Sequence, residues 1–188
     1  EKLRNLNLLH VWDLSFQKDE IETNCITLYP KKFINAYIPR DPSSKEILTF
    51  EELSRLSLKK KDGRFYGIDA LGVLKADVDN LGIIFYRGFR ETKRTFSRYL
   101  SLSRMLNFFF AYYLPYLCQK DFKNIYNVFC GGDDLFIIGP WYECYKFALK
   151  VNELFRKYVC ENPAFTLSAG YVLTKPNLPI TELAKRSE

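Results

Sequence analysis

Three patterns in this 188-residue sequence predict an α+β fold, a β-α-β-β-α-β unit of the ferredoxin-like type. Short apolar runs alternate with two long segments of helical periodicity. The step Gly131-Gly132-Asp133-Asp134 divides two strand-like runs as a hairpin turn would. Apolar residues make up 47% and aromatic residues 16%, enough for a packed core. At about 150 residues per domain, the length allows one domain with an appendage.

Taken in chain order, residues 1–63 read as an irregular N-terminal extension, part of a preceding domain or a linker. Residues 64–188 read as the β-α-β-β-α-β domain. The extension holds Pro30, Pro39 and Pro42, two apolar runs that suit strands (Cys25–Tyr29 and Phe33–Ile38), and a Lys59-Lys60-Lys61 run expected in a flexible loop. Thr49 with Glu52 three residues on is a capping box that opens a short helix at Phe50. Leu71–Ala76 is a short, mostly apolar run leading into Asp77, the pattern of a central strand. Thr95–Leu117 carries Phe96, Leu100, Ser103, Leu106, Phe110, Tyr113 and Leu117 on one face of a long helix, with Phe108 to Tyr113 expected in the core. Ile125–Cys130 and Leu135–Ile138 flank the double glycine as two strands of a hairpin. Trp141–Val159 is a second helix, striped by Cys144, Ala148, Val151, Phe155 and Tyr158. Phe165–Leu173 is the fourth strand, and a helix starts at Pro179-Ile180-Thr181-Glu182. In nucleotidyltransferases and nucleotide cyclases this order of elements is called a palm.

Composition narrows the chemistry. The single histidine, His10, excludes multi-histidine metal centres and His-Asp phosphohydrolase cores, and its neighbours Trp12 and Asp13 form no recognisable site. Catalysis therefore falls to carboxylates. Five cysteines, Cys25, Cys118, Cys130, Cys144 and Cys160, form no CxxC pair and sit among apolar residues. That argues against zinc or disulfides and for a reducing, cytoplasmic location. The most apolar stretch, Leu106 to Cys118, falls short of the ~20 residues a membrane span needs. A net charge of +6 favours anionic partners. Much of it lies in residues 87–104, where Arg87, Arg90, Lys93, Arg94, Arg98 and Arg104 face one acid, Glu91. Two readings stay open there: a solvated helix face, or a surface that attracts triphosphate or RNA. The chain opens on Glu1 and stops just after a helix start, so it is expected to be a C-terminally truncated fragment of a longer polypeptide.

Two acidic motifs remain. Asp77-Val78-Asp79 ends the first strand and Asp133-Asp134 occupies the hairpin between the second and third. In a split β-α-β unit these elements are neighbours at the centre of the sheet. Crowded carboxylates repel and raise one another's pKa unless cations neutralise them. Mg²⁺ or Mn²⁺ takes such oxygen ligands and shares them with substrate phosphates. Two ions about 3.5–4 Å apart can serve both the attacking and the leaving oxygen. The bland alternative is a solvated, Asp-rich turn.

The segments Lys75–Gly82 (KADVDNLG) and Gly131–Trp141 (GGDDLFIIGPW) resemble the large subunit of type III CRISPR effector complexes, most closely the second palm domain of the Csm-type branch. Tyr37-Ile38-Pro39, Thr49–Leu53, Leu102-Ser103-Arg104 and Thr166–Gly170 agree with it, so the resemblance covers about residues 37–185. It implies conversion of ATP to cyclic oligoadenylates when the complex binds target RNA. On that resemblance Asp133 and Asp134 are catalytic and hold two Mg²⁺ or Mn²⁺ ions, Asp77 is a further ligand, and Asp79 ligates or orients the ligands. Ser103, Arg104, Asn80, Gly82, Gly131 and Gly132 border the nucleotide. The implied partners are the first palm domain of the same full-length chain, other effector subunits, crRNA and target RNA. The opposing palm supplies half of the family's ATP cleft, so the isolated chain is expected to be inactive. The family's His-Asp nuclease, first palm and C-terminal helical domain are not part of these residues.

Several residues keep a plainer reading. Ser103 could let helix and sheet approach rather than touch nucleotide, and Ser168 is expected to pack. A diguanylate cyclase shares the palm, but Asp134 and Leu135 replace the Glu and Phe of its hairpin signature. A catalytically silent palm that serves as a scaffold for RNA and partner subunits is the non-enzymatic rival.

Overall fold

A computed structural model describes residues 37–187. His10, Cys25 with its run to Tyr29, and most of Phe33–Ile38 lie outside the described residues. Helix α1 (Phe50–Arg55) opens on the expected capping box: Glu52 N–H donates to Thr49 Oγ1 (3.3 Å), while Thr49 N–H donates to Glu52 Oε2 (2.8 Å). The lysine run is not a loop. It forms strand β1 (Lys59–Lys61), paired antiparallel with β2 (Arg64–Tyr66), because Asp62-Gly63 supplies a two-residue turn with both φ angles positive. The boundary expected between residues 63 and 64 therefore falls where this hairpin turn meets β2.

The palm follows as β3 (Leu71–Val78), α2 (Leu81–Arg87), α3 (Phe96–Phe108), α4 (Leu114–Asp121), β4 (Tyr126–Gly131), β5 (Asp134–Pro140), α5 (Trp141–Tyr158), β6 (Leu167–Thr174) and α6 (Ile180–Arg186). The four strands form one antiparallel sheet in the order β4-β5-β3-β6. β3 is therefore central, flanked by β5 and β6. This is the α+β palm with an antiparallel sheet that the alternating strand and helix patterns predict.

Period-2 alternation along β3 builds two cores. Leu74, Ala76 and Val78 face the helices, packing with Leu106, Phe109 and Phe110 and with Phe147, Val151 and Phe155 of α5. Leu71 and Val73 face the other side, where Ile138 and the fully buried Leu53 of α1 cover them. Beyond Val73 that second face opens, and Lys75 and Asp77 continue the row toward solvent. Gly72 lets α5 start against the sheet: a Cβ there would lie 2.8 Å from Cys144 Cβ and 2.9 Å from Trp141 Cα.

The long helix differs from its expectation. A π-helical turn at Phe109–Tyr113 divides it into α3 and α4 and inserts a residue into its phase. The buried side chains become Leu106 before the turn, Phe109 and Phe110 within it, and Leu114, Leu117 and Cys118 after it, with Leu102 partly buried. Phe96 and Leu100, placed by the sequence on the core stripe, are exposed, as is Phe108. Helix α2, a 3₁₀ turn at Glu91–Lys93 and the burial of Phe147 are elements that the sequence pattern did not reveal. Cys118, Cys130 and Cys144 are buried and free as expected, whereas Cys160 is exposed in the left-handed turn after α5. Among the described residues no helix is long and apolar enough to cross a membrane.

The seating of α1 makes a test of the second core. Leu53→Ala should cost about 2–5 kcal/mol, measured by denaturant unfolding of the protein. A cost below about 1 kcal/mol would mean that α1 does not hold this face of the sheet.

Candidate active site

The register places two acids directly opposite each other. Asp77, the last but one residue of β3, pairs with Asp134, the first residue of β5, which in turn pairs with Gly131 at the end of β4. Gly132 and Asp133 form the turn between β4 and β5, and Gly132 has φ +68°, which glycine adopts without strain. Ligand atoms of Asp77, Asp133 and Asp134 come within 4.8 Å of one another. Three carboxylates at this spacing, open to solvent, carry a concentrated negative charge.

The electrostatics register that crowding. Partial burial first, and then the charge of Asp77, push the Asp133 carboxyl above the usual range. Asp134 is also raised, by partial burial, by a hydrogen bond with Asp77 and by the charges of Asp77 and Asp133; nearby Lys75 opposes this more weakly. The donor set fits a hard divalent cation, which would relieve this repulsion. Asp77, Asp133 and Asp134 are the residues that would hold it.

The other expected site residues separate into those near the trio and those turned away. Asp79 is turned away: its carboxylate accepts hydrogen bonds from the hydroxyls of Thr166 and Ser168 at the start of β6. Those two bonds hold its carboxyl below the usual range. Ser168, expected to pack, is instead a donor to Asp79. Asn80 stands in the left-handed region (φ 53°) at the N-cap of α2, without a side-chain capping bond, and turns the chain out of the sheet. Gly82 and Gly132 have open space where a Cβ would be, and a Cβ on Gly131 would meet ordinary contacts with Phe129 and Asn107. Ser103 and Arg104 are exposed on α3, so Ser103 does not ease helix–sheet packing.

One site residue escaped the sequence reading. Asn107 Oδ1 accepts the Gly132 N–H (3.0 Å), pinning the acidic hairpin to α3. It lies one turn beyond Ser103, on the same side of the helix. The available signal was the i, i+4 spacing that puts Ser103 and Asn107 on one side of the helix. Tyr158 braces the same helix, its hydroxyl donating to Met105 O (2.7 Å).

A central antiparallel sheet with its longer helices on one face and the short α1 on the other, and acids gathered at the end of its middle strands, defines a nucleotidyltransferase- or cyclase-type palm. The chain belongs to the Cas10/Cmr2 second palm domain family, whose profile matches residues 70–188. A curated relative from Methanocaldococcus jannaschii, the CRISPR system single-strand-specific deoxyribonuclease Cas10/Csm1 (subtype III-A), is 36% identical over 162 residues. That match covers 80% of this chain and 20% of the relative, so the chain spans about a fifth of the relative's length. Among solved structures, a Csm1–Csm4 cassette in complex with AMPPNP superposes with a TM-score of 0.71 at 28% identity, covering 91% of this chain and 24% of that one. The cassette in complex with cA4 gives 0.70 at 27% identity, covering 91% and 24%.

Because the folded protein binds protons at Asp133 and Asp134 more tightly than the unfolded chain does, metal-free stability should fall as pH rises through those raised values. Asp134→Asn, which removes one of the crowded charges, should therefore raise the metal-free Tm at pH 7 by about 2 °C. Thermal unfolding in chelator reads this, and a variant melting below the wild type would refute the crowding.

Proposed function

We propose that this chain is the metal-dependent ATP-condensing palm of a type III-A effector large subunit and makes cyclic oligoadenylates in antiviral defence. The observation that carries the reading is the trio of carboxylates at the Gly131–Asp134 hairpin, in register with Asp77. Support also comes from the Csm1–Csm4 cassettes of the same fold that hold AMPPNP and cA4. The same likeness supports a Csm4-type subunit and the first palm domain of a longer chain as partners.

Asp77, Asp133 and Asp134 would hold Mg²⁺ or Mn²⁺, two ions on this reading. Bound there, the cations supply charge neutralisation for a 3′-oxygen attacking an α-phosphorus and for the leaving pyrophosphate. The chain's own residues set the geometry. The β3–β5 ladder fixes the spacing between Asp77 and Asp134, and Asn107 holds the turn that carries Asp133. Open space over Gly132 and Gly82 leaves room for a triphosphate beside the hairpin. Ser103, exposed on α3 one turn from Asn107, would meet the nucleoside on this reading. Asp79 serves by bracing the end of β3 against β6 rather than by ligation.

Asp133→Ala with Asp134→Ala, in the complete effector, should lower cyclic oligoadenylate formation from ATP by at least about 100-fold, as loss of a charge-stabilising group does, while the complex still assembles. Undiminished product would leave the palm as a scaffold. Turnover of labelled GTP in preference to ATP would favour the diguanylate-type reading instead.

A further inference from the structure

The corner between α2 and α3 has a surface unlike the rest of the molecule. Arg87 ends α2, Arg90, Lys93 and Arg94 occupy the turn, and Arg98 lies in the first turn of α3; all five are exposed. Among the described residues none of them forms a salt bridge with a carboxylate. Three of these side chains, those of Arg87, Arg94 and Arg98, are nonetheless held in place. Arg98 Nη1 donates to Lys93 O (2.9 Å) and Arg94 Nε to Phe89 O (3.3 Å). Arg87 and Arg94 both lie over the ring of Tyr86, at 5.9 and 5.8 Å from its centroid. Beneath them Phe89 packs edge-on against Tyr99 and Phe85 stacks on it, so the turn has its own small aromatic support. Two rings face outward among the cations: Tyr86 is 68% exposed and Phe96 is 81% exposed.

We propose that this corner is a docking surface for single-stranded nucleic acid, gripping the phosphate backbone with its arginines and stacking bases on Tyr86 and Phe96. An unpaired cationic cluster on a solvated surface repels itself, and a polyanion relieves that repulsion while releasing its own counterions. Guanidinium groups fixed by main-chain carbonyls and a ring have already lost part of the freedom that phosphate binding would cost them. Exposed aromatic rings interleaved with cations are the combination that holds unpaired strands, since every base offers a π-face. A single triphosphate would need fewer cations and no outward rings. The position is also apt, because α2 is seven residues long and thus spans about 10 Å from the strand end that carries Asp77. A strand on this corner would run beside the acidic cluster without occupying it. The inference does not depend on which nucleotide the acidic cluster uses.

The test uses the complete large-subunit chain purified with its partner subunits, and a short mixed-sequence single-stranded RNA containing 4-thiouridine. Photo-crosslinks are expected on peptides containing Tyr86 or Phe96. Arg87→Gln, Arg90→Gln and Arg94→Gln together should weaken binding and reduce the slope of log K against log salt by about 2, roughly 0.7 for each phosphate no longer neutralised. These exposed, charge-neutralising changes leave the core intact. Tyr86→Leu with Phe96→Leu should weaken binding by about 5-fold or more at an unchanged slope. Single-stranded DNA of the same sequence should show the same slope, because phosphates and base faces are common to both. Absence of crosslinks at this corner, an unaltered slope in the triple variant, or failure of the DNA to bind would overturn the proposal. So would a triple variant that binds RNA normally but releases a partner subunit, which would make the corner a protein interface.

Discussion

Everything at the acidic site depends on one cross-strand opposition: Asp77 of β3 faces Asp134 of β5 across the centre of the sheet. Like charges directly opposite each other destabilise a ladder, and Asp133 in the adjoining turn adds a third. The sheet keeps this arrangement because slipping by one residue would turn every side chain of β3 to the wrong face. Leu74, Ala76 and Val78 are locked against the helices, and Leu71 and Val73 against α1. Burial on both faces thus fixes the register, and the register gathers the acids. The repulsion is the cost that a bound cation would offset.

The surroundings divide the polar work. Asp79, only two residues from Asp77, is held differently: the hydroxyls of Thr166 and Ser168, at the start of β6, donate to its carboxylate and favour its charged form. Asn107 links the hairpin turn to α3, so the position of Asp133 is set by a helix as well as by its own strands. The chain then leaves the site through Asn80 and α2 and turns at once into a cationic corner. Negative charge at the end of the sheet and positive charge beyond α2 make two neighbouring surfaces of opposite sign.

Much of this was legible from sequence because local chemistry and global fold agree. Thr49 with Glu52 announces a helix start, the Gly-Gly-Asp-Asp step announces a hairpin, and the strand runs end where the acids begin. What stayed hidden has identifiable causes. The π turn at Phe109–Tyr113 shifts the helix phase, so a stripe read at constant period puts Phe96, Leu100 and Ser103 on the wrong side. Helix α2 carries apolar residues such as Ile83 that remain exposed, and gave no amphipathic pattern. The Lys59–Lys61 strand was masked by its charge, although the Asp62-Gly63 step was an available turn signal. The role of Ser168 depends on β6 lying beside β3, a pairing that no local pattern encodes.

The central claim is that Asp77, Asp133 and Asp134 form one divalent-cation site. Anomalous diffraction from crystals of the protein soaked in Mn²⁺ and a non-hydrolysable ATP analogue tests it most directly. The account predicts manganese peaks within direct coordination distance of all three carboxylates, with the Asp79 carboxylate still bonded to Thr166 and Ser168. Manganese bound elsewhere, or at Asp79 with the trio empty, would contradict it.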